Sequence, residues 1–83
     1  MQYRFYSDPS HAWLAVKRTE LIRLGIINKI SSCSYEKGGT VYLEEDDDAS
    51  KFIETKKALN EKITVKEIYH DNTPIRYYQS FSI

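Results

Sequence analysis

The chain has 83 residues, with twelve basic and twelve acidic side chains, and 41% of its residues are hydrophobic. A chain of this length has room for one hydrophobic core, so we expect a single domain over residues 1–83. Because the formal net charge is zero, no overall field attracts nucleic acid or an anionic membrane. Any such binding would have to come from local patches.

Cysteine content and hydropathy indicate a cytoplasmic location. Cys33 is the one cysteine in the sequence, which excludes an internal disulfide and a site of several thiolates, and favours a reducing compartment. The N-terminus lacks the apolar stretch of a secretory signal, and no segment approaches the roughly 20 apolar residues that span a bilayer.

The first part of the chain predicts two strands and a short helix. Residues 3–6 form an aromatic run that ends in turn formers, and residues 11–16 carry apolar groups on both faces, as a covered strand does. Residues 17–24 have leucines at helical spacing, and Gly25 follows with the freedom to adopt the left-handed conformation that ends a helix. In such an ending Ile26 packs back on the helix.

A glycine turn predicts a β-hairpin in the middle of the chain. Residues 30–36 and 40–44 are rich in β-branched and aromatic side chains, and they flank Lys37, Gly38 and Gly39. Apolar residues of the second strand fall on one face only, so we expect the hairpin to cover a core with one side.

The last part of the chain predicts a helix and a second hairpin. Residues 49–59 place apolar side chains on one helical stripe, formed by Ala49, Phe52, Ile53 and Leu59. Aspartates precede this helix, and Asn60 can provide its C-terminal stop. Residues 63–69 and 75–82 read as two strands joined by a turn.

The order ββαββαββ predicts an α+β fold, a two-layer sandwich of an antiparallel sheet and two helices. From residue 11 onward this order contains the split strand-helix-strand pattern of ferredoxin-like domains, with an extra strand at each end of the chain. A curved antiparallel sheet wrapped on the second helix alone is the alternative.

Residue types give little support for catalysis. A nucleophilic Cys33 would need His11 or His70 as its base, and both are remote in sequence. Cys33 falls within a predicted strand, where we expect a small buried hydrophobe. The glycine pair lacks phosphate-loop spacing, and the acidic run at 44–48 lacks the spaced ligands of a calcium loop. We therefore expect no catalytic site, no metal and no cofactor.

The acidic run at residues 44–48 has two readings. It can be the N-terminus of a helix, where a carboxylate cap and an acidic first turn are favourable. Five carboxylates exceed what capping requires, so the run can also be a docking surface for a basic partner, with neighbouring tyrosines. The candidate partner-binding residues are Tyr35, Tyr42, Glu44, Glu45, Asp46, Asp47 and Asp48.

An alternative function is single-stranded nucleic-acid binding. Sheet tyrosines can stack on bases while basic side chains contact phosphates. The candidate residues are Arg4, Lys66, Arg76 and Tyr78. Aromatic pairs that merely stabilise a sheet are the simpler interpretation, and the zero net charge lowers the expectation of nucleic-acid binding.

The hairpin and second helix carry a motif that consists of Ser34, Tyr35, Gly38, Tyr42, Leu43, Glu44, Glu45, Asp46, Asp48 and Ala49. This motif resembles one in small uncharacterised accessory proteins encoded by bacteriophages and mobile elements. The resemblance implies a non-catalytic protein that binds a host or phage protein in the host cytoplasm, including inhibitors of host defence such as anti-CRISPR proteins. A homodimer stays open, since a short chain with strand edges gains buried area by pairing.

Overall fold

The computed structural model describes residues 2–83, which form an α+β structure of six strands and two α-helices. In chain order the elements are β1 (Gln2–Ser7), β2 (Ala12–Lys17), α1 (Arg18–Arg23), β3 (Tyr35–Lys37), β4 (Thr40–Glu44), α2 (Asp48–Ala58), β5 (Thr64–Tyr69) and β6 (Gln79–Ser80). Single 3-10 turns occupy Ile27–Lys29 and Pro74–Tyr77.

The strands form one mixed sheet in the order β5-β1-β2-β4-β3-β6. β1 and β5 run parallel, whereas the other neighbouring strands are antiparallel. The prediction of a ferredoxin-like antiparallel sheet is therefore wrong. β1 lies between β2 and β5. It folds back on β2 through a short turn, in which the Asp8 N–H donates to the His11 carbonyl at 2.9 Å. β1 therefore occupies the edge of β2 that faces away from β4.

The predicted C-terminal hairpin is also wrong, since β5 and β6 lie at opposite edges of the sheet. Five inter-strand spacings separate these edges, about 24 Å. The chain covers that distance with residues 70–78, which we call the crossing segment. Residues 75–82, predicted as one strand, instead form the turn Pro74–Tyr77 and the two-residue β6.

The predicted glycine turn is confirmed, although the strand before it is shorter than expected. Lys37 pairs with Thr40 across the turn, and Gly38 and Gly39 have φ angles of 58° and 81°. Two successive positive φ values characterise the type I′ hairpin turn, which glycine adopts without steric cost. β3 begins only at Tyr35, so residues 30–34 form turns instead of a strand.

Both helices end as the sequence predicts. After α1, Gly25 has φ 73° and the Ile26 N–H donates to the Leu21 carbonyl at 3.1 Å. After α2, Asn60 has φ 58° and the Glu61 N–H donates to the Lys56 carbonyl at 3.0 Å. These bonds are the Schellman pattern, which satisfies carbonyls left free at a helix end.

The main core lies between α2 and one face of the sheet. Its buried members include Tyr3, Leu14, Val16, Leu21, Val41, Leu43, Ala49 and Phe52. The Tyr3 ring meets the Phe52 ring edge-on, with centroids 5.2 Å apart. Lys56, not the predicted Leu59, completes the buried stripe of α2: Leu59 is 52% exposed, while Lys56 is 3% exposed and its amine bonds the Glu61 carboxylate at 2.7 Å.

The opposite face of the sheet, which we call the open face, is partly covered by the crossing segment. Tyr6, Trp13 and Tyr42 lie on the open face because they alternate along their strands with core residues. Trp13 is 3% exposed, and Ile75 of the crossing segment is 2% exposed. The Tyr78 ring packs on the Tyr42 ring with centroids 5.2 Å apart. A second, smaller apolar layer therefore forms on this face.

A buried ion pair fastens the crossing segment. The Asp8 side chain is fully buried, and its carboxylate binds the Arg76 guanidinium and accepts the Ser10 and His11 N–H groups at 2.9 Å. Burial alone would raise the pKa of Asp8, but these hydrogen bonds and the Arg76 charge hold the pKa well below its usual range. Asp8 thus stays ionised and keeps its hold on Arg76.

Replacing Arg76 with alanine removes the charge that faces this buried carboxylate. We expect the free energy of unfolding to fall by about 1–3 kcal/mol, less than for a fully buried pair because Arg76 is 31% exposed. Amide hydrogen exchange should rise in residues 70–78 first. Denaturation followed by Trp13 fluorescence, together with exchange mass spectrometry, measures both effects. The control Lys57→Ala, at an exposed position, should change neither, and unchanged exchange in Arg76→Ala would contradict the fastening role.

Candidate functional site

Asp48, a predicted partner-binding residue, is instead a buried structural carboxylate. Its side chain has no exposed surface. The carboxylate accepts the Ser31 and Ser34 hydroxyl groups at 2.7 and 2.6 Å, and the Ser31 N–H at 3.0 Å. The prediction that Asp48 contacts a partner is wrong, because its lone pairs are directed into the protein.

The Asp48 network ties three segments together. Ser34, itself buried, also accepts the Glu44 N–H at 2.9 Å, so the turn at residues 31–34 is joined to both β4 and α2. Burial alone would raise the pKa of Asp48, but hydrogen bonds from Ser34 and Ser31 and the nearby Lys51 amine lower it. The carboxylate is therefore charged when the protein is folded.

Two more carboxylates of the acidic run have local roles. Glu44 accepts the N–H groups of Asp46 and Asp47, which lie just before α2. Asp47 occupies the N-cap position without a side-chain cap bond, and its carboxylate contacts the Lys51 amine at 3.2 Å. The predicted aspartate cap bond does not form, and Glu44 instead holds the turn that leads into α2. Within residues 2–83, Glu45 and Asp46 are exposed and form no ion pair.

Asp46 and Glu44 line an open groove of about 620 Å³ that also contains Tyr35. We call it the acidic groove, and its other lining residues are His11, Trp13, Cys33 and Arg76. The Tyr35 ring packs edge-on against the Trp13 ring at 6.3 Å. Since Arg76 is paired with Asp8, its charge does not neutralise the groove carboxylates.

Cys33 is exposed in the turn that precedes β3, so the prediction of a buried strand residue is wrong. The turn forms because the Ser31 side chain accepts the Cys33 N–H at 3.2 Å and the Ser34 N–H donates to the Ser31 carbonyl at 3.3 Å. Serine side chains that bond nearby backbone groups compete with strand pairing, which explains why residues 30–34 leave the sheet.

Tyr42, the second predicted docking tyrosine, does not line the acidic groove. Its ring contacts those of Tyr6 and Tyr78, with centroids 6.0 and 5.2 Å away. Burial and the neighbouring tyrosines raise the pKa of Tyr42. The structure therefore brings Tyr35 to the acidic run and assigns Tyr42 to an aromatic row on the open face.

The structure also separates the four residues proposed for nucleic-acid binding, because one of them is held in an ion pair. Arg4 and Lys66 are exposed and lie side by side on β1 and β5. Tyr78 is half-buried against Tyr42, and Arg76 is bound to Asp8. Arg4, Lys66 and Tyr78 share the open face, whereas Arg76 does not contribute a free charge.

Sequence reasoning missed Lys17, Ala15 and Tyr6, which lie near Arg4 and line a second concave surface with it. Alternation along β1 and β2 places these residues on the open face. This alternation is the sequence signal that could have grouped them. No three His, Cys, Asp or Glu side chains within residues 2–83 are placed to hold a metal ion. In the same range no helix is long and apolar enough to cross a membrane.

Comparisons with protein-family models, with curated proteins and with solved structures find no match to this chain. The resemblance to phage accessory proteins therefore stays a prediction, and functional arguments depend on the geometry of the surfaces.

Substituting Asp48 with asparagine tests the buried network through its pH dependence. Because the folded pKa lies below the ordinary value of 3.8, the carboxylate stabilises the fold fully above that pH and loses this effect as pH falls further. We expect Asp48→Asn to lower the free energy of unfolding by about 1–3 kcal/mol at pH 7. The difference from the unmodified protein should shrink towards pH 2.

Urea denaturation between pH 7 and pH 2, followed by Trp13 fluorescence, measures this difference. Asp71→Asn removes an exposed carboxylate and should cost less than about 0.5 kcal/mol at pH 7. Parallel stability curves for the unmodified protein and Asp48→Asn over the whole pH range would show that the charge of Asp48 contributes nothing.

Proposed function

We propose that this chain is a small non-catalytic protein that binds a basic segment of a partner protein in the acidic groove. The observation that carries the proposal is the exposed Asp46, which lines the acidic groove beside Tyr35. Like its neighbour in sequence, the exposed Glu45, it forms no ion pair within residues 2–83. Complementary charge would set the specificity and the association rate of such a complex.

The composition of the groove suits a lysine or arginine side chain of a partner. Tyr35, whose ring packs against the buried Trp13, provides partly exposed aromatic surface, which interfaces favour, and Asp46 provides an exposed negative charge. A volume of about 620 Å³ is within the range of sites that enclose part of a ligand. A planar guanidinium could stack on Tyr35 while it bonds to Asp46.

A bacterial or phage protein is the partner class to test first, following the sequence resemblance to phage accessory proteins. Inhibition of a host defence system is the specific activity that this resemblance suggests. An acidic surface could act there by occupying a channel that normally holds nucleic acid. The proposed action is binding without turnover, so Cys33→Ser should leave partner capture intact although Cys33 lines the groove.

The test is affinity capture of the tagged protein from a nuclease-treated bacterial lysate, with quantitative mass spectrometry of retained proteins. We expect one stoichiometric partner with a basic surface. The double variant Glu45→Lys with Asp46→Lys should reduce its recovery at least about tenfold, because it replaces attraction by repulsion at the contact. Neither residue belongs to the Asp48 network, so the variant should remain folded.

The matched control reverses two carboxylates elsewhere, Glu54→Lys with Glu67→Lys. Both are exposed, on α2 and β5, and neither forms an ion pair within residues 2–83. This control has the same net charge as the groove variant and should retain the partner. Equal recovery with both double variants would remove the acidic groove from consideration.

A further inference from the structure

The part of the open face that the crossing segment leaves uncovered forms a second concave surface of about 330 Å³. We call it the basic concavity, and the lining residues that matter here are Arg4, Tyr6, Ala15, Lys17, Thr40 and Tyr42. No residue of the crossing segment lines it. It shares no lining residue with the acidic groove and is therefore a separate surface.

Strand register arranges cations and an aromatic ring in one row, which starts at Lys66 beside the basic concavity and then crosses the concavity from Arg4 to Tyr42. Lys66 on β5 lies beside Arg4 on β1, Arg4 lies opposite Ala15 on β2, and Ala15 lies opposite Tyr42 on β4. Neighbouring strands are about 4.8 Å apart, so Arg4 and Tyr42 stand about 10 Å apart on either side of a methyl group. The small side chain of Ala15 gives the surface its depth.

The charges of the basic concavity are not balanced by the protein. Within residues 2–83, the lining cations Arg4 and Lys17 are exposed and form no ion pair, and the same is true of Lys66, which lies beside Arg4 outside the lining. Other cations, such as Arg18 and Arg23, contact carboxylates. One carboxylate, that of Glu20, lines the concavity, and it is held by the Arg23 guanidinium. The zero net charge of the chain thus conceals a local positive patch.

Aromatic rings stand at the edge of this patch. The Tyr6 and Tyr42 rings contact each other at 6.0 Å, and both line the concavity. Tyr78 extends the row beyond Tyr42, with the Lys37 amine 4.8 Å from its ring centroid. Tyrosine rings beside unpaired cations on a sheet face are the elements that stack bases and contact phosphates in sheet-based single-strand binders.

We propose that the basic concavity binds single-stranded nucleic acid, with a base between Arg4 and Tyr42 and backbone phosphates on Arg4, Lys17 and Lys66. Duplexes are excluded because a paired base cannot enter a hollow between side chains on a sheet. The site is independent of the acidic groove, so the chain has two surfaces of opposite charge that can engage a partner protein and a nucleic-acid strand.

The experiment measures fluorescence anisotropy of fluorescein-labelled 15-nucleotide oligouridylate and oligodeoxythymidylate, titrated with the full chain from 50 to 300 mM NaCl. Three phosphate contacts predict a slope of about −2 in the plot of log affinity against log salt. Arg4→Glu and Lys66→Glu should each weaken binding at least about tenfold at 50 mM NaCl. Lys57→Glu, an exposed reversal on α2, makes the same charge change and should have no more than a twofold effect.

Ala15→Phe separates stacking from charge, since it fills the hollow and leaves every charge in place. We expect it to weaken binding about tenfold, the scale of one lost base stack, while the salt slope is unchanged. Ala15 lies on the open face, so the main core is not altered. Circular dichroism spectra of all variants check that the fold is retained.

Three outcomes would overturn the proposal. The first is no binding of the oligonucleotides at 50 mM NaCl, and the second is that Arg4→Glu and Lys57→Glu bind them with equal affinity. The third is that the unmodified protein binds the matched duplex, or heparin, as tightly as it binds the single strand. The groove variant Glu45→Lys with Asp46→Lys should bind the oligonucleotides as well as the unmodified protein does or better. Partner capture therefore tests the acidic groove, and oligonucleotide binding tests the basic concavity. If one assay fails while the other succeeds, the result shows which of the two surfaces does not bind its proposed ligand.

Discussion

The distance between β5 and β6 is the constraint on which the surfaces of this protein depend. Because these strands lie at opposite edges of the sheet, residues 70–78 have to run across the open face. They bury Ile75 there and bring Arg76 to Asp8. The face is thereby divided into the acidic groove, which Arg76 lines, and the basic concavity, which the crossing segment does not reach. One connection thus separates two surfaces of opposite charge.

Local features of the fold could be predicted from the sequence, and non-local pairing could not. Gly25, Asn60 and the glycine turn at 38–39 adopt positive φ angles for reasons contained in a few neighbouring residues. The parallel pairing of β1 with β5 depends on which strand edge is still free after the hairpins have formed, and no local pattern records that. The C-terminal strands alternate as a hairpin would, yet β5 and β6 pair with different partners.

The candidate site shows the same limit at the level of single side chains. Asp46 and Asp48 are two positions apart in an acidic run, and spacing alone gives them the same role. Asp48 is buried, and its carboxylate accepts a hydrogen bond from the hydroxyl group of Ser34, 14 residues upstream, while Asp46 stays exposed. Tyr35 and Tyr42 also lie opposite each other in the hairpin but contact different rings. Such differences arise from tertiary partners, which the sequence pattern does not reveal.

The pairing of β1 with β5 also bears on how the chain folds during synthesis. It joins residues roughly 60 positions apart, so closing it costs more chain entropy than closing the β1–β2 or β3–β4 hairpin. Until β5 has been made, the outer edge of β1 has no neighbour, and an unpaired edge invites association with other chains. We expect the nascent chain to complete its fold in one late, cooperative step.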